Sequence, residues 1–280
     1  MSYQAMLVHA DQAPSAAARM ELAIRLAYAC GAHLTGLACT GVSRYAELED
    51  MGPPGPLIEA ELQRWRVQAQ ASLATLAALA RDRASTAPTL LLLEDDAEDG
   101  LMQQAPFNDL LILGQTDPHY HAPGVIRDLP QYLLLHSGRP LLLVPHGKDC
   151  DCPAPFHHPL LAWDGSRQAA RAISDALPLL KLANTVTLLM LNPDPQQRRQ
   201  EVEPGADMAQ FLARHGVSVN VMREYTTVDA GSALLCVAAE LRCDLLVMGG
   251  YGHRRAREIV LGGATRTVLA DMCLPVLISH

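Results

Sequence analysis

The chain repeats itself. Asp109-Leu110-Leu111-Ile112-Leu113-Gly114 has the same form as Asp244-Leu245-Leu246-Val247-Met248-Gly249: an acidic residue, four apolar residues, then glycine. Arg139-Pro140-Leu141-Leu142-Leu143-Val144 likewise matches Leu274-Pro275-Val276-Leu277-Ile278-Ser279. Asp109 to Asp244 and Pro140 to Pro275 are both steps of 135 residues, so the block 109–144 maps onto 244–279 without a gap. The beginnings of the halves correspond too. Met6 to Ala10 precede Asp11, and Leu160 to Trp163 precede Asp164. Each is followed by a short turn and an Ala-Ala-Arg helix opening, Ala17-Ala18-Arg19 and Ala169-Ala170-Arg171. That step is 152, so the first half carries extra length, which we assign to the Gly52-Pro53-Pro54-Gly55-Pro56 loop and the long helix after it. Self-similarity at this scale means one fold used twice.

Within each half, short apolar runs alternate with segments of helical periodicity. Strands are expected near 5–10, 33–39, 89–93, 109–114 and 140–145, then near 159–164, 185–191, 217–222, 244–249 and 275–279. Helices are expected near 15–30, 57–84, 98–105 and 128–137, then near 167–183, 205–215, 230–242 and 262–272. This alternation predicts the α/β class: two doubly wound, parallel, five-stranded sheets in tandem. A chain of 280 residues has room for two such cores. Scarce aromatics, at 4%, and abundant aliphatics suit strands covered by helices on both faces. The expected domains are 1–146 and 159–280, joined by a linker at 147–158 rich in Pro, Cys, His and Asp. The long helix at Leu57 to Arg83 is expected to pack between domains or subunits.

Several function classes are excluded. A net charge of -8 opposes binding to a phosphate backbone, so no nucleic-acid partner is expected. No run of roughly 18 apolar residues exists, so no membrane span is expected. Met1 to His9 lack the basic region of a secretory signal, which points to the cytoplasm. The seven cysteines read as reduced, with Cys30, Cys39, Cys236, Cys243 and Cys273 in apolar segments. His146, Cys150, Cys152, His157 and His158 crowd the linker, but their irregular spacing and the weak Cys-x-Cys pattern predict neither a metal site nor a redox role. A phosphate-binding Gly-x4-Gly-Lys loop needs a lysine, and neither Lys148 nor Lys181 follows one. With no Gly-x-Ser-x-Gly elbow and no paired carboxylates, no catalytic residue is assigned.

Ligands of doubly wound sheets bind beyond the carboxyl ends of the strands, at the switch point. In the second half, strand 1 ends at Asp164 and strand 4 at Gly249. After strand 4 come Gly249-Gly250-Tyr251-Gly252, then nine residues, then Gly262-Gly263-Ala264-Thr265. Glycines admit an anion close to backbone N–H groups, and a helix N-terminus adds free donors and a favourable dipole. His253, Arg254, Arg255 and Arg257 lie between the glycines, so a guanidinium could meet a triphosphate. The same glycines could serve only to make tight turns. The repeat argues against that. In the first half the position of Gly252 holds Asp117, those of Gly262 and Gly263 hold Arg127 and Asp128, and that of Thr265 holds Pro130. A turn of equal length is built there without the glycines, and its carboxylates would repel phosphate. An anion site is therefore expected in the second half alone. Asp164 has two open readings: a ligand group, or a cap on the following helix.

Asp164-Gly165-Ser166 after strand 1, and the Gly-x2-Gly-x9-Gly pattern after strand 4, resemble the universal stress protein family. The resemblance covers nearly the whole chain, twice. Gly250-Tyr251-Gly252-His253, continued at Leu261 to Arg266, and Gly114-Gln115-Thr116-Asp117-Pro118 resemble its tandem proteobacterial type. The resemblance implies a Rossmann-like, adenine nucleotide α-hydrolase-like fold and an adenine nucleotide (ATP, ADP or AMP) as ligand. It places Asp164 near the nucleoside, Leu191 beside the adenine, and Gly249, Gly252, Gly262, Gly263 and Thr265 in the phosphate loop. One departure is Gly263, where the family's ATP binders carry Ser or Thr. It implies a stress-response protein with at most weak ATPase activity, its halves paired as an intramolecular pseudo-dimer, with a protein partner left unnamed and a homodimer also open. Two alternatives remain: an interaction protein with both sites vestigial, and an adenylyl-transfer enzyme. For the latter, Asp164-Gly165-Ser166-Arg167 is too short and glycine-poor.

Overall fold

The computed structural model describes residues 2–41, 56–81, 87–120, 128–147, 152, 154–193, 205–251 and 263–280. In chain order the first half holds β1 (Ala5–His9), α1 (Ala16–Cys30), β2 (His33–Cys39), α2 (Pro56–Ala80), β3 (Thr89–Leu93), α3 (Ala97–Gln104), β4 (Leu110–Gly114), α4 (Leu129–His136) and β5 (Leu141–Val144). The second holds β6 (Pro159–Ala162), α5 (Arg167–Leu180), β7 (Val186–Leu191), α6 (Ala206–Arg214), β8 (Val219–Glu224), α7 (Ala230–Glu240), β9 (Leu245–Gly249), α8 (Gly263–Asp271) and β10 (Val276–Ser279). The doubly wound α/β class therefore stands, with five strands to each half. No helix among the described residues is long and apolar enough to cross a membrane.

The chain forms two compact units. One comprises Tyr3–Arg139 with His146–Asp149; the other comprises Met1–Ser2, Pro140–Pro145 and Cys150–His280. In the N-terminal unit the strands run β3-β2-β1-β4, all parallel. In the C-terminal unit they run β5-β10-β9-β6-β7-β8, and all pairs are parallel except β5 with β10. That antiparallel pair departs from the all-parallel expectation. Its register is Leu141↔Ile278, Leu142↔Leu277 and Leu143↔Val276. Leu142 and Leu277 are repeat equivalents, so the pairing is self-complementary about them, as in an isologous contact. All eight residues of the two strands are buried, so their polar backbone must be satisfied within a ladder.

The acidic residue that opens each repeated block has a shared task. Asp109 Oδ2 accepts the N–H groups of Gln4 at 2.7 Å and Ala5 at 3.1 Å. Asp244 accepts those of His157 and, at 2.9 Å, His158. In both halves one carboxylate ties the start of the central strand to the start of its neighbour.

The long α2 lies on β2, β3 and α1 of its own unit. Gly36 of β2 makes room for it: a Cβ there would stand 2.1 Å from Leu76 Cδ2. A correction concerns sulfur. Cys152 is disulfide-bonded, whereas Cys30, Cys39, Cys236, Cys243 and Cys273 are free. A count of seven cysteines is compatible with none to three bridges, so composition does not reveal this one.

Candidate functional site

β6 lies between β7 and β9. The chain leaves β6 through α5 toward β7, and leaves β9 through α8 toward β10, on the opposite side. The crevice between the carboxyl ends of β6 and β9 is thus the switch point of the C-terminal unit. Asp164 lies just beyond β6 and is exposed. Its Oδ1 accepts the N–H of Ser166 at 2.9 Å across Gly165, whose φ is 75°. The helix cap is Ser166, which accepts the N–H of Ala169 at 3.1 Å. Asp164 therefore shapes the turn and leaves capping to its neighbour. The β6–β7 register pairs Ala162 with Leu189, which brings Asp164 level with Leu191, the half-buried last residue of β7.

Gly249 ends β9, and a Cβ there would stand 2.5 Å from the backbone N of Ala169. Its bare backbone lets the first turn of α5 close on β9. Gly250 then donates to the Ser279 carbonyl at 2.8 Å, and Tyr251 takes a φ of 57°. The Tyr251 N–H donates to Oγ1 of the buried Thr265 at 3.4 Å, which holds the first turn of α8 at the end of β9. Gly263, the first residue of α8, is exposed. Asp164, Gly249, Gly263 and Thr265 thus come to one edge, with Leu191 in register. Gly252 and Gly262 lie outside the described residues, as do His253, Arg254, Arg255 and Arg257.

Sequence reasoning missed Asp229. It caps α7 by accepting the N–H of Ser232 at 3.1 Å, and that bond above all holds its carboxyl below the ordinary range. Gly231 lets α8 approach, since a Cβ there would stand 2.7 Å from the Ala264 carbonyl oxygen. The Asp229 carboxylate consequently sits beside the start of α8, with Oδ1 3.6 Å from where a Gly263 side chain would begin. Its position as the polar residue heading a helical run was the available signal.

The same edge of the N-terminal unit is furnished differently. Arg19 is wholly buried; its Nε donates to the His9 carbonyl at 3.0 Å and its guanidinium to Asp11 Oδ1 at 2.6 Å. A Cβ on Gly114 would stand 2.2 Å from this guanidinium. His9 Nδ1 lies 3.4 Å from Asp11 Oδ2. Burial pushes the His9 imidazole down. Burial alone would raise Asp11, but the Arg19 charge beside it holds the carboxyl below its ordinary value. A cavity of about 360 Å³ opens over these groups, walled by Thr40, Trp65, Gln68 and Tyr120. Asp117 accepts the N–H of His119 at 2.8 Å, and Asp128 precedes α4 without a side-chain capping bond. Nearby Asp95, Asp96 and Asp99 cluster, but Asp96 caps α3 through the Asp99 N–H, and Asp95 accepts from Gln103.

Residues 155–280 match the model of the universal stress protein family. A universal stress protein of Synechocystis sp. is 31% identical over 123 residues, spanning 42% of this chain and 40% of that relative. A universal stress protein from Archaeoglobus fulgidus DSM 4304 has the same fold across 98% of this chain and 95% of its own, with a TM-score of 0.67 at 17% identity. A functionally unknown protein from Pseudomonas aeruginosa PAO1 does so across 99% and 92%, with a TM-score of 0.62 at 18% identity. At these identities the two structures speak for the fold alone.

Proposed function

From the match of residues 155–280 to the universal stress protein family, we propose that the chain is a member of that family and that its C-terminal half binds one adenine nucleotide, weakly, in a stress-response role without strong catalysis. The hydrogen bond from the Tyr251 N–H to Thr265 Oγ1 carries the reading. It sets a helix N-terminus, with its unsatisfied N–H groups, at the carboxyl edge of the switch point. In this reading the base lies near Leu191 and the ribose near Asp164. The phosphates lie over Gly249, Gly252, Gly262 and the first turn of α8, where Gly263 adds backbone but no hydroxyl. Two features make the binding weak. The missing hydroxyl removes one contact, and the Asp229 carboxylate shares the helix start with the phosphates. The N-terminal half takes no nucleotide, because Arg19 is spent on Asp11 and Asp117 stands in the loop.

Calorimetry with ATP and ADP tests the proposal. Gly252→Asp copies the first half's residue into the second and sets a carboxylate among the phosphates. Losing a charge-assisted contact costs about 1.5–3 kcal/mol, so affinity should fall at least about tenfold. Asp117→Gly should change nothing. Unchanged affinity in a folded Gly252→Asp protein would move the site off this loop. No heat from the wild-type protein would favour the second reading, a partner-binding protein with both sites vestigial, for which Asp229 beside the helix start is the favouring observation.

A further inference from the structure

The turn that leaves β9 passes through one peptide group held on both of its sides. Toward α8, the Tyr251 N–H donates to Thr265 Oγ1 at 3.4 Å. Toward β10, the carbonyl oxygen of the same peptide, that of Gly250, lies 3.1 Å from His280 Nδ1. A carbonyl only accepts, so Nδ1 carries the proton and donates it. The Gly250 N–H is bonded in turn to the Ser279 carbonyl at 2.8 Å. The His280 ring also meets the Tyr251 ring edge-on, with centroids 6.1 Å apart and planes at 74°.

Tyr251 does not favour this conformation by itself. Its φ of 57° lies in the left-handed region, where a Cβ crowds the backbone. Among the described residues only Asn192 and Arg242 combine a side chain with such a φ. The repeat supplies the control. A step of 135 puts Thr116 at the position of Tyr251, Pro130 at that of Thr265 and Pro145 at that of His280. Neither proline side chain donates or accepts a hydrogen bond. With both holding groups replaced, Thr116 does not take a positive φ. The left-handed turn and the two side chains that hold it thus occur together in one half and are absent together from the other.

A flip of the Gly250–Tyr251 peptide would relieve Tyr251 and turn the C=O, in place of the N–H, toward α8. That oxygen would then offer an internal acceptor to the free N–H groups of the helix start, in competition with a phosphate. We propose that His280 is a positioning residue of the C-terminal site: its Nδ1–H holds this peptide in the orientation that leaves the start of α8 open to phosphate. The inference rests on the nucleotide reading of that half. Without the bond from His280, affinity falls by the fraction of chains that keep the unflipped peptide.

Calorimetry of the full chain with ATP tests it. His280 is exposed, so substitutions there leave the core intact. His280→Ala should weaken ATP at least about fivefold, as the left-handed residue relaxes. His280→Asn, whose amide nitrogen stands where Nδ1 stands, should recover most of the affinity. His280→Gln, whose amide nitrogen stands where Nε2 stands, should not. In a Tyr251→Gly chain the left-handed φ carries no penalty, so His280→Ala should there cost less than about twofold. If the unmodified chain binds ATP and His280→Ala binds it equally well, the assignment is overturned and the nucleotide reading stands. Equal rescue by Asn and Gln, or an equal loss with Tyr251 and with glycine in its place, would also overturn it, because His280 would then act otherwise than by holding this peptide. No binding by the unmodified chain would sink the nucleotide reading itself, and this inference with it.

Discussion

Arg19 and Arg171 are spelled alike, each closing an Ala-Ala-Arg opening, yet they have opposite fates. Arg171 stays at the surface and reaches Asp175 one turn later, with Nε 2.8 Å from Oδ2. Arg19 turns inward, because His9 offers a carbonyl, Asp11 a carboxylate and Gly114 the space. A buried charge of this kind is tolerated only while its partner remains. Arg19→Met should therefore cost about 3 kcal/mol by leaving the half-buried Asp11 without its guanidinium. The pH dependence follows from the same cluster. His9 is held below 6.5 by burial, so the unfolded chain binds a proton first as pH falls. Its contribution is complete above 6.5 and is lost below it. Asp11, held below 3.8, contributes above that value and loses it in stronger acid. Urea titrations of a Trp163→Phe chain, read through Trp65, should show the N-terminal unit weakening from pH 7 to 5. His9→Asn should remove that slope, and a slope that persists would locate the titrating group elsewhere. None of this was legible in the sequence. Gly114 and Gly249 are the same letter at equivalent positions, but one clears space for a guanidinium and the other for the backbone of α5.

At the scale of elements, legibility was high where periodicity carried the signal. Short apolar or alternating runs between helical segments located the ten strands found among the described residues. Direction was not legible: Leu141–Val144 and Val276–Ser279 have the same pattern whether paired parallel or antiparallel, and only the structure shows β5 antiparallel to β10. The paired aspartates were visible as a repeat, but their task was not, since it depends on strand ends about a hundred residues away. That task makes a prediction. Each carboxylate accepts two backbone N–H groups at the mouth of a central strand and is half-buried. Asp109→Ala and Asp244→Ala should each cost about 1–3 kcal/mol, after allowance for solvent at the strand edge. In chemical denaturation the midpoint should fall with the slope unchanged. Asp109→Asn should recover part of the loss, because an amide oxygen still accepts. If Ala and wild type share a midpoint at either site, these bonds are worth nothing net.

Across the whole molecule the two halves of the duplication have diverged in the residues they carry at the carboxyl ends of their strands. The acid-sensitive cluster of His9, Asp11 and Arg19 has no counterpart in the C-terminal half, where Ala162 stands two residues before Asp164 and Arg171 is exposed. The glycine loop has no counterpart in the N-terminal half, where Asp117 and Asp128 stand instead. Hydrogen exchange, corrected for intrinsic chemical rates, should separate the two responses in one intact chain. With ATP at about a hundred times its Kd, the ligand-bound unit gains about 2.7 kcal/mol, which is about a hundredfold slower opening. That protection should fall on peptides from β6, β9, α8 and β10, and leave β1 to β4 unchanged. Lowering the pH from 7 to 5 should do the converse, loosening β1, α1 and β4 around Arg19 while the C-terminal peptides hold. ATP protection shared equally by both units, or acid loosening centred on the C-terminal unit, would contradict this division of labour and return the two halves to functional equivalence.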